Sequence, residues 1–378
     1  MEYRLDELFE LQMGKTPSRD NKDYWNSRSN KWISIADLSK CGKYIQETKE
    51  YLSDKAIEES GINQIPENTV IMSFKLSIGK TAITVEPMYS NEAIMSFIDK
   101  RKVELIPDYI YYMFLNKDWD VGTNKAVMGK TLNKATLSQT KITIHDIQQQ
   151  KQIVNILDKV TGIIAARKAE LDELENLVKA RFIELFIGKG YPTKTVDEVS
   201  LGKGEYGAQS ASVEYDPSRP RYVRITDIND DGTLNNDVVA SINPADDAQY
   251  KLEYGDFMFA RMGATVGKTY AFIEGNQIFA GYLIRYRLNR EIINPRYLFW
   301  YTRLDEYWNW VKLNQSGAAQ PGINAKKYSS LQILLPPIKE QNAFAAFVAQ
   351  VDKSKVVVQK SLDETQVLFD SLMQEYFG

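Results

Sequence analysis

The chain has one cysteine, Cys41, and one histidine, His145, in 378 residues. A single thiol cannot build an intramolecular disulfide framework or a cysteine-based zinc knuckle, and such rarity points to a reducing compartment. A single imidazole removes histidine-rich metal sites and leaves any serine–histidine–acid triad dependent on His145. No run of about 18 apolar residues is present, and the opening M-E-Y-R-L-D-E-L-F-E is not a signal peptide, so a soluble cytoplasmic protein with no membrane partner is expected. A surplus of positive charge is missing too: 47 Lys and Arg stand against 50 Asp and Glu, a net charge of −3. That excludes a globally basic nucleic-acid coat protein, so any polyanion site must come from local clustering. What remains is a globular balance of 43% hydrophobic and 26% charged residues, long enough for two or three domains.

The sequence repeats near its midpoint. Leu5-Asp6-Glu7-Leu8 answers Val196-Asp197-Glu198-Val199 at a shift of 191, and Trp32-Ile33-Ser34-Ile35-Ala36-Asp37-Leu38 answers Tyr222-Val223-Arg224-Ile225-Thr226-Asp227-Ile228 at 190. Gly79-Lys80-Thr81 answers Gly267-Lys268-Thr269, and Pro107-Asp108-Tyr109-Ile110 answers Pro295-Arg296-Tyr297-Leu298, both at 188. Asn133 and Gln150 answer Asn324 and Gln341, back at 191. Five matches in one order indicate one plan written twice.

Each copy begins with about 145 residues of short β-branched and aromatic runs between turn residues, then enters a long periodic stretch. A 4-3 spacing from Ile153 selects Ile153, Leu157, Val160, Ile164, Arg167, Leu171, Leu174, Val178, Arg181 and Leu185. The second copy gives Phe344, Val348, Val351, Lys355, Val358, Leu362, Thr365, Phe369, Leu372 and Tyr376. Eight of ten are apolar in each, the pattern of a coiled-coil seam. Asp146-x-x-Gln149 reads as a capping box, Pro336-Pro337 as a helix start, and Gly188 and Gly190 as a helix stop. A helix so long has little core of its own, and its partner is expected to be its repeat copy, with Leu157, Val160, Leu171 and Leu174 facing Val348, Val351, Val358 and Leu362. The expected fold class is α+β, with a pseudo-twofold internal repeat: mixed α/β domains at 1–147 and 191–337, and helices at 148–190 and 338–378 forming an antiparallel coiled coil.

Motifs that resemble catalytic signatures fail on spacing or context. Gly263-Ala-Thr-Val-Gly267-Lys268-Thr269 is one residue short of a phosphate-binding loop, and its first copy lacks the leading glycine. A turn with a lysine and a hydroxyl fits better as a contact to a phosphate or base edge. Phe186-Ile-Gly188-Lys-Gly190 matches a short methyltransferase pattern but ends a helix, and no N-P-P-[FY] string is present. No acid-x-Lys pair follows Asp108 at a nuclease-like spacing, and His145 reads as a surface residue without a nucleophile partner. No catalytic or metal constellation survives.

Local charge is more informative. From Val121 to His145 the chain carries Lys125, Lys130, Lys134 and Lys141 and no acid; from Tyr307 to Lys339, Glu and Asp are again absent while Lys312, Lys326, Lys327 and Lys339 are present. Further acid-free stretches hold Lys75 and Lys80, Arg261 and Lys268, and Arg285, Arg287 and Arg290. The near-neutral total therefore conceals a basic face in each copy. Similar basic domains on paired helices suit a duplex, whose grooves repeat along one face about every 34–36 Å.

This layout resembles the specificity subunit of type I restriction–modification systems, over nearly the whole chain. The resemblance rests on W-I-S-I-A-D-L and Y-V-R-I-T-D-I, M-S-F-K-L-S-I-G-K-T and F-A-R-M-G-A-T-V-G-K-T, S-G-A-A-Q-P-G-I-N, and L-P-P-I-K-E-Q leading into the last helix, with I-H-D-I-Q-Q-Q as its first-copy counterpart. It implies a non-catalytic subunit with two target-recognition domains, each reading half of a split, asymmetric sequence in double-stranded DNA. Two methyltransferase (modification) subunits would bind S-adenosylmethionine, and restriction subunits acting through them would use ATP and Mg; this chain would hold no cofactor. Carried over by position, DNA contact is expected from Lys75, Lys80, Thr81, Arg261, Lys268 and Thr269 in the turns, from Lys130, Asn133, Gln320 and Asn324 in the basic segments, and from Arg224. Two other classes stay open: a nucleotide-binding enzyme using the Gly-Lys-Thr turns, and a coiled-coil scaffold that binds no DNA.

Overall fold

In the computed structural model the chain is described outside residues 76, 120–123, 127–128, 243–247 and 317–320, and the side chains of 124–126, 129–131 and 248 also lie outside the description. It divides into two compact units, Met1–Arg167 with Ser361–Gly378 and Lys168–Lys360. The boundaries fall within the two long helices, Ile147–Phe186 and Ile338–Phe377, each 40 residues and so about 60 Å long.

In the first unit a five-stranded sheet runs in the order Phe9–Met13, Ile94–Asp99, Val70–Ser73, Thr81–Thr84, Tyr44–Ile45, beside a three-stranded sheet built on Asn30–Ile33. In the second, Glu205–Tyr206, Leu283–Arg287, Asp256–Ala260 and Thr269–Ala271 form one four-stranded sheet, and a second is built on Arg221–Val223. The repeat is visible in register. Met72 pairs antiparallel with Met95 as Phe259 does with Ile284, while Trp32 pairs in parallel with Tyr89 as Tyr222 does with Ile278. Each domain is closed by its own ends: Glu2–Arg4 pairs with Lys141–Thr143, and Thr193–Thr195 pairs with Gln332–Leu334.

The W-I-S-I-A-D-L motif and its copy are local capping devices. Asp37 accepts from Ser34 N at 2.9 Å and Asp227 accepts from Arg224 N at 2.9 Å, so each carboxylate satisfies a donor at the start of a turn.

Each unit contains the start of one long helix and the end of the other, running antiparallel. In the first unit Ile153 and Leu157 share a core with Met373, while Tyr109 packs on Phe377 and Tyr112 on Phe369. In the second, Phe182 and Phe186 pack on Phe344, and Glu175 pairs with Lys355. Lys355 thus occupies a seam position with its charge partnered. Leu157, Val160, Val348, Val351 and Val358 are buried; Leu171, Leu174 and Leu362 are half-buried. The expected spacing fails at the end of the first helix. Arg181 is exposed, and Phe182 and Phe186 are buried instead of Leu185. Here the helix faces the domain core of Val196, Tyr297 and Ile333 as well as its partner helix, and the 3.6-residue period of a helix on a globular core takes over.

A buried glutamine in the first turn of each helix fastens the domain to it. Gln150 accepts from Ile106 N at 3.0 Å and donates to Glu104 O and His145 O, each at 3.0 Å. Gln341 accepts from Asn294 N at 2.9 Å and donates to Ile292 O at 3.1 Å and Pro336 O at 2.8 Å. Both side chains are fully enclosed, so removing either leaves three backbone groups unpaired. Gln341→Leu should lower stability by about 2–4 kcal/mol in urea denaturation, against less than about 0.5 kcal/mol for Ala at the exposed Gln350. Equal effects would show that Gln341 is not a fastening point.

Candidate nucleic-acid interface

The two Gly-Lys-Thr sequences close equivalent β-hairpins. Gly79 and Gly267 both sit at positive φ, 87° and 90°, the left-handed region where glycine carries no steric cost. Gly79 N donates to Ser73 O at 2.9 Å and Gly267 N to Ala260 O at 3.0 Å. Side chains also press on both: an added Cβ would lie 3.2 Å from Trp119 at Gly79 and 2.8 Å from Val311 at Gly267.

The loop before each glycine meets the basic segment through the same bond. Leu132 N donates to Phe74 O at 3.0 Å, and Ile323 N donates to Arg261 O at 2.9 Å. In the second copy Gly263 N also donates to Pro321 O at 2.9 Å. Two acid-free windows distant in sequence are thus joined in each domain. Lys80 and Lys134 in the first domain, and Arg261, Lys312 and Lys326 in the second, have no ion pair among the described residues, while the charge of Lys75 helps to lower the Glu92 carboxyl. Lys80 Nζ donates to Ser39 Oγ at 2.7 Å and stays exposed.

The other candidates are engaged by the fold itself. Thr81 and Thr269 are buried; Thr81 donates to Gly79 O, and Thr269 shares a hydrogen bond with Thr302 and accepts from Arg303 Nη1 at 3.0 Å. Lys268 lies 2.8 Å from Asp230 and donates to Ile228 O. Arg224 forks onto Asp227 and reaches Val238 O at 2.6 Å. Asn133 and Asn324 are helix N-caps, accepting from Thr136 N at 2.8 Å and Lys327 N at 3.0 Å. Gln320 and the side chain of Lys130 lie outside the described residues.

A nucleotide loop is not what the Gly-Lys-Thr turns build. A phosphate-binding loop joins a strand to a helix and offers its hydroxyl to a metal, whereas both turns join two strands and bury the threonine. His145 departs from its expected surface position: it is half-buried, with Nδ1 2.7 Å from the Tyr109 hydroxyl. Burial pushes the Tyr109 phenol up to about 12, so it stays protonated and serves as a fixed donor. Among the described residues no group of three or more His, Cys, Asp and Glu could hold a metal, and no helix is long and apolar enough to cross a membrane.

Two aromatic residues at the second turn were not anticipated. Arg261 lies over Tyr206 at 4.9 Å and Tyr282 at 5.9 Å from the ring centroids. The sequence signal was the glycine beside each, in Tyr206-Gly207 and Gly281-Tyr282, where the backbone packs closely.

The sequence matches the family described as "Type I restriction modification DNA specificity domain" over residues 1–176 and 205–364. It is 26% identical over 188 residues to the type I restriction enzyme MjaIX specificity subunit of Methanocaldococcus jannaschii, covering 49% of this chain and 43% of that protein. It is 25% identical over 162 residues to the EcoR124I/EcoR124II specificity subunit of Escherichia coli, covering 41% and 39%. The chain thus spans less than half the length of these two relatives. The StySPI specificity subunit of Salmonella potsdam aligns over 82% of this chain and 73% of its own length at 21% identity. The fold is similar to that of the type I S subunit from M. genitalium, with a TM-score of 0.56, 12% identity, and coverage of 100% of this chain and 96% of that one. A second structure, solved in a study of type I R-M complex assembly and conformational transition, gives 0.59, 15%, 100% and 97%.

The cap assignment predicts that Asn324→Ala costs about 1 kcal/mol, while Asn324→Ser keeps stability within a few tenths, measured by thermal melting. If Asn324→Ser keeps stability but abolishes DNA binding, Asn324 is a contact residue as well as a cap.

Proposed function

This chain belongs to the type I restriction modification DNA specificity family, and we propose that it is the DNA-recognition subunit of a type I restriction–modification complex. It reads a split, asymmetric duplex target, one half with each domain, and directs methylation or cleavage by partner subunits. The observation that carries this reading is the duplicated closure of hairpin turn on basic segment, Phe74 to Leu132 and Arg261 to Ile323, each gathering cations without carboxylate partners. Lys75, Lys80, Lys134, Lys312 and Lys326 serve as phosphate contacts that set register, and specificity comes from groups with fixed geometry between them.

The antiparallel helix ends in each unit support a spacer that fixes the gap between half-sites. Two modification subunits carry S-adenosylmethionine, restriction subunits joined through them use ATP and Mg, and this chain positions both on DNA. Its single cysteine favours a cytoplasmic location.

Each phosphate contact adds about 0.9 to the slope of log binding constant against log salt. Lys80→Ala with Lys134→Ala, in the full chain with its modification subunit, should weaken duplex binding for all sequences alike and reduce that slope by about 1–2. A slope unchanged by the double substitution would remove these lysines from the interface.

A further inference from the structure

We propose that Arg261 is the base-reading residue of the second domain and that the base it reads is guanine. This rests on the reading of the chain as a DNA-recognition subunit and assigns chemistry to one point of its target.

The guanidinium is held ready from several sides. The backbone of Arg261 is bonded at both ends, its N–H to Tyr282 O at 3.0 Å and its carbonyl to Ile323 N at 2.9 Å. Its guanidinium lies over the rings of Tyr206 and Tyr282, both within cation–π range. The Tyr206 ring is itself fixed, since its hydroxyl accepts from Ala325 N at 3.2 Å. At Gly207 an added Cβ would come 2.3 Å from Ala280 O, so this close approach of the two aromatic segments needs glycine.

What is missing is an acceptor. Among the described residues no carboxylate pairs with Arg261, Nη2 meets only Met262 Sδ at 3.4 Å, and Nε is buried with no hydrogen-bond partner. A weak sulfur contact leaves the outer nitrogens of the fork without an oxygen acceptor among the described residues, and a ligand that carries acceptors can supply one. The flanking rings remain open to solvent, Tyr206 at 41% and Tyr282 at 53%, so a ligand can reach the group.

A phosphate needs only a cation nearby, and the exposed lysines supply that. Holding a planar fork in one orientation matters when the acceptors are two atoms at fixed spacing, and guanine O6 and N7 are that pair in the major groove. The first domain has Phe74 at the equivalent position, fully buried, so the two domains differ in chemistry at one matched point. That difference suits an asymmetric target.

The test is selection from a randomised duplex pool by the full chain with its modification subunit, using wild type, Arg261→Ala and Arg261→Lys, with melting midpoints as a folding control. Wild type should select a guanine in one half-site, and replacing that base should weaken binding about 5- to 150-fold. Arg261→Ala should become indifferent at that position while keeping every position of the other half-site. Arg261→Lys keeps the stem and charge, so it carries the test if the alanine variant melts early; it should lose most of the guanine preference. The inference is overturned if Arg261→Ala selects the wild-type motif, if it weakens all sequences evenly with a smaller salt slope, or if Arg261→Lys retains full discrimination. A wild-type complex that selects no motif would overturn the DNA-recognition reading as well, which separates the two failures.

Discussion

Two enclosed glutamines carry the architecture. Gln150 and Gln341 each stand in the first turn of a 40-residue helix and hold the loop that precedes the Pro107 and Pro295 helices. Without them the start of each helix would bury backbone groups with no partner, a cost of about 1–3 kcal/mol per group. A leucine could fill the volume but not pair these groups. The same two residues fix how each recognition domain stands on its helix, so the aim of the hairpin turn depends on a side chain far from it in sequence. A neighbouring tyrosine in each copy strengthens the joint: Tyr109 reaches Thr143 O and His145, and Tyr297 reaches Leu334 O at 2.8 Å.

With the domain fixed, charge can be sorted by position. Lysines that lie near acids are consumed locally, as Lys268 is by Asp230 and Lys43 by Asp108 and Asp158. Within the acid-free windows Lys141 is likewise taken up by Glu2, whereas Lys80, Lys134, Lys312 and Lys326 have no ion pair among the described residues, and the hairpin closure joins the windows that carry them. The net charge of −3 is therefore compatible with a polyanion partner, because the long-range field of the whole chain and the local field at the turns are different quantities.

The duplication was legible in the sequence because matched residues do matched structural work. The aspartates of the two capping motifs, the positive-φ glycines and the buried glutamines recur at nearly one offset because each satisfies the same backbone need twice. Less legible was which polar residues point outward. Thr81 and Thr269 looked available, but all four residues of Thr81–Thr84 are buried, so the alternation that marks a solvent face is absent. Asn133 and Asn324 carried a readable cap signal that a contact role had obscured. The seam register failed past Val178 because spacing alone records one packing surface, and Phe182 and Phe186 face two. Tyr206 and Tyr282 were hidden for a different reason: strands brought together by tertiary pairing leave no periodic trace along the chain.

We propose that each of the two domains reads one half of a split target. Methylated-base mapping of cells carrying the chain with its partner subunits, before and after residues 191–337 are exchanged for those of another family member, addresses it directly. A bipartite motif is expected in which one half changes while the other half and the gap between them persist. A contiguous motif, or one in which both halves change together, would contradict it.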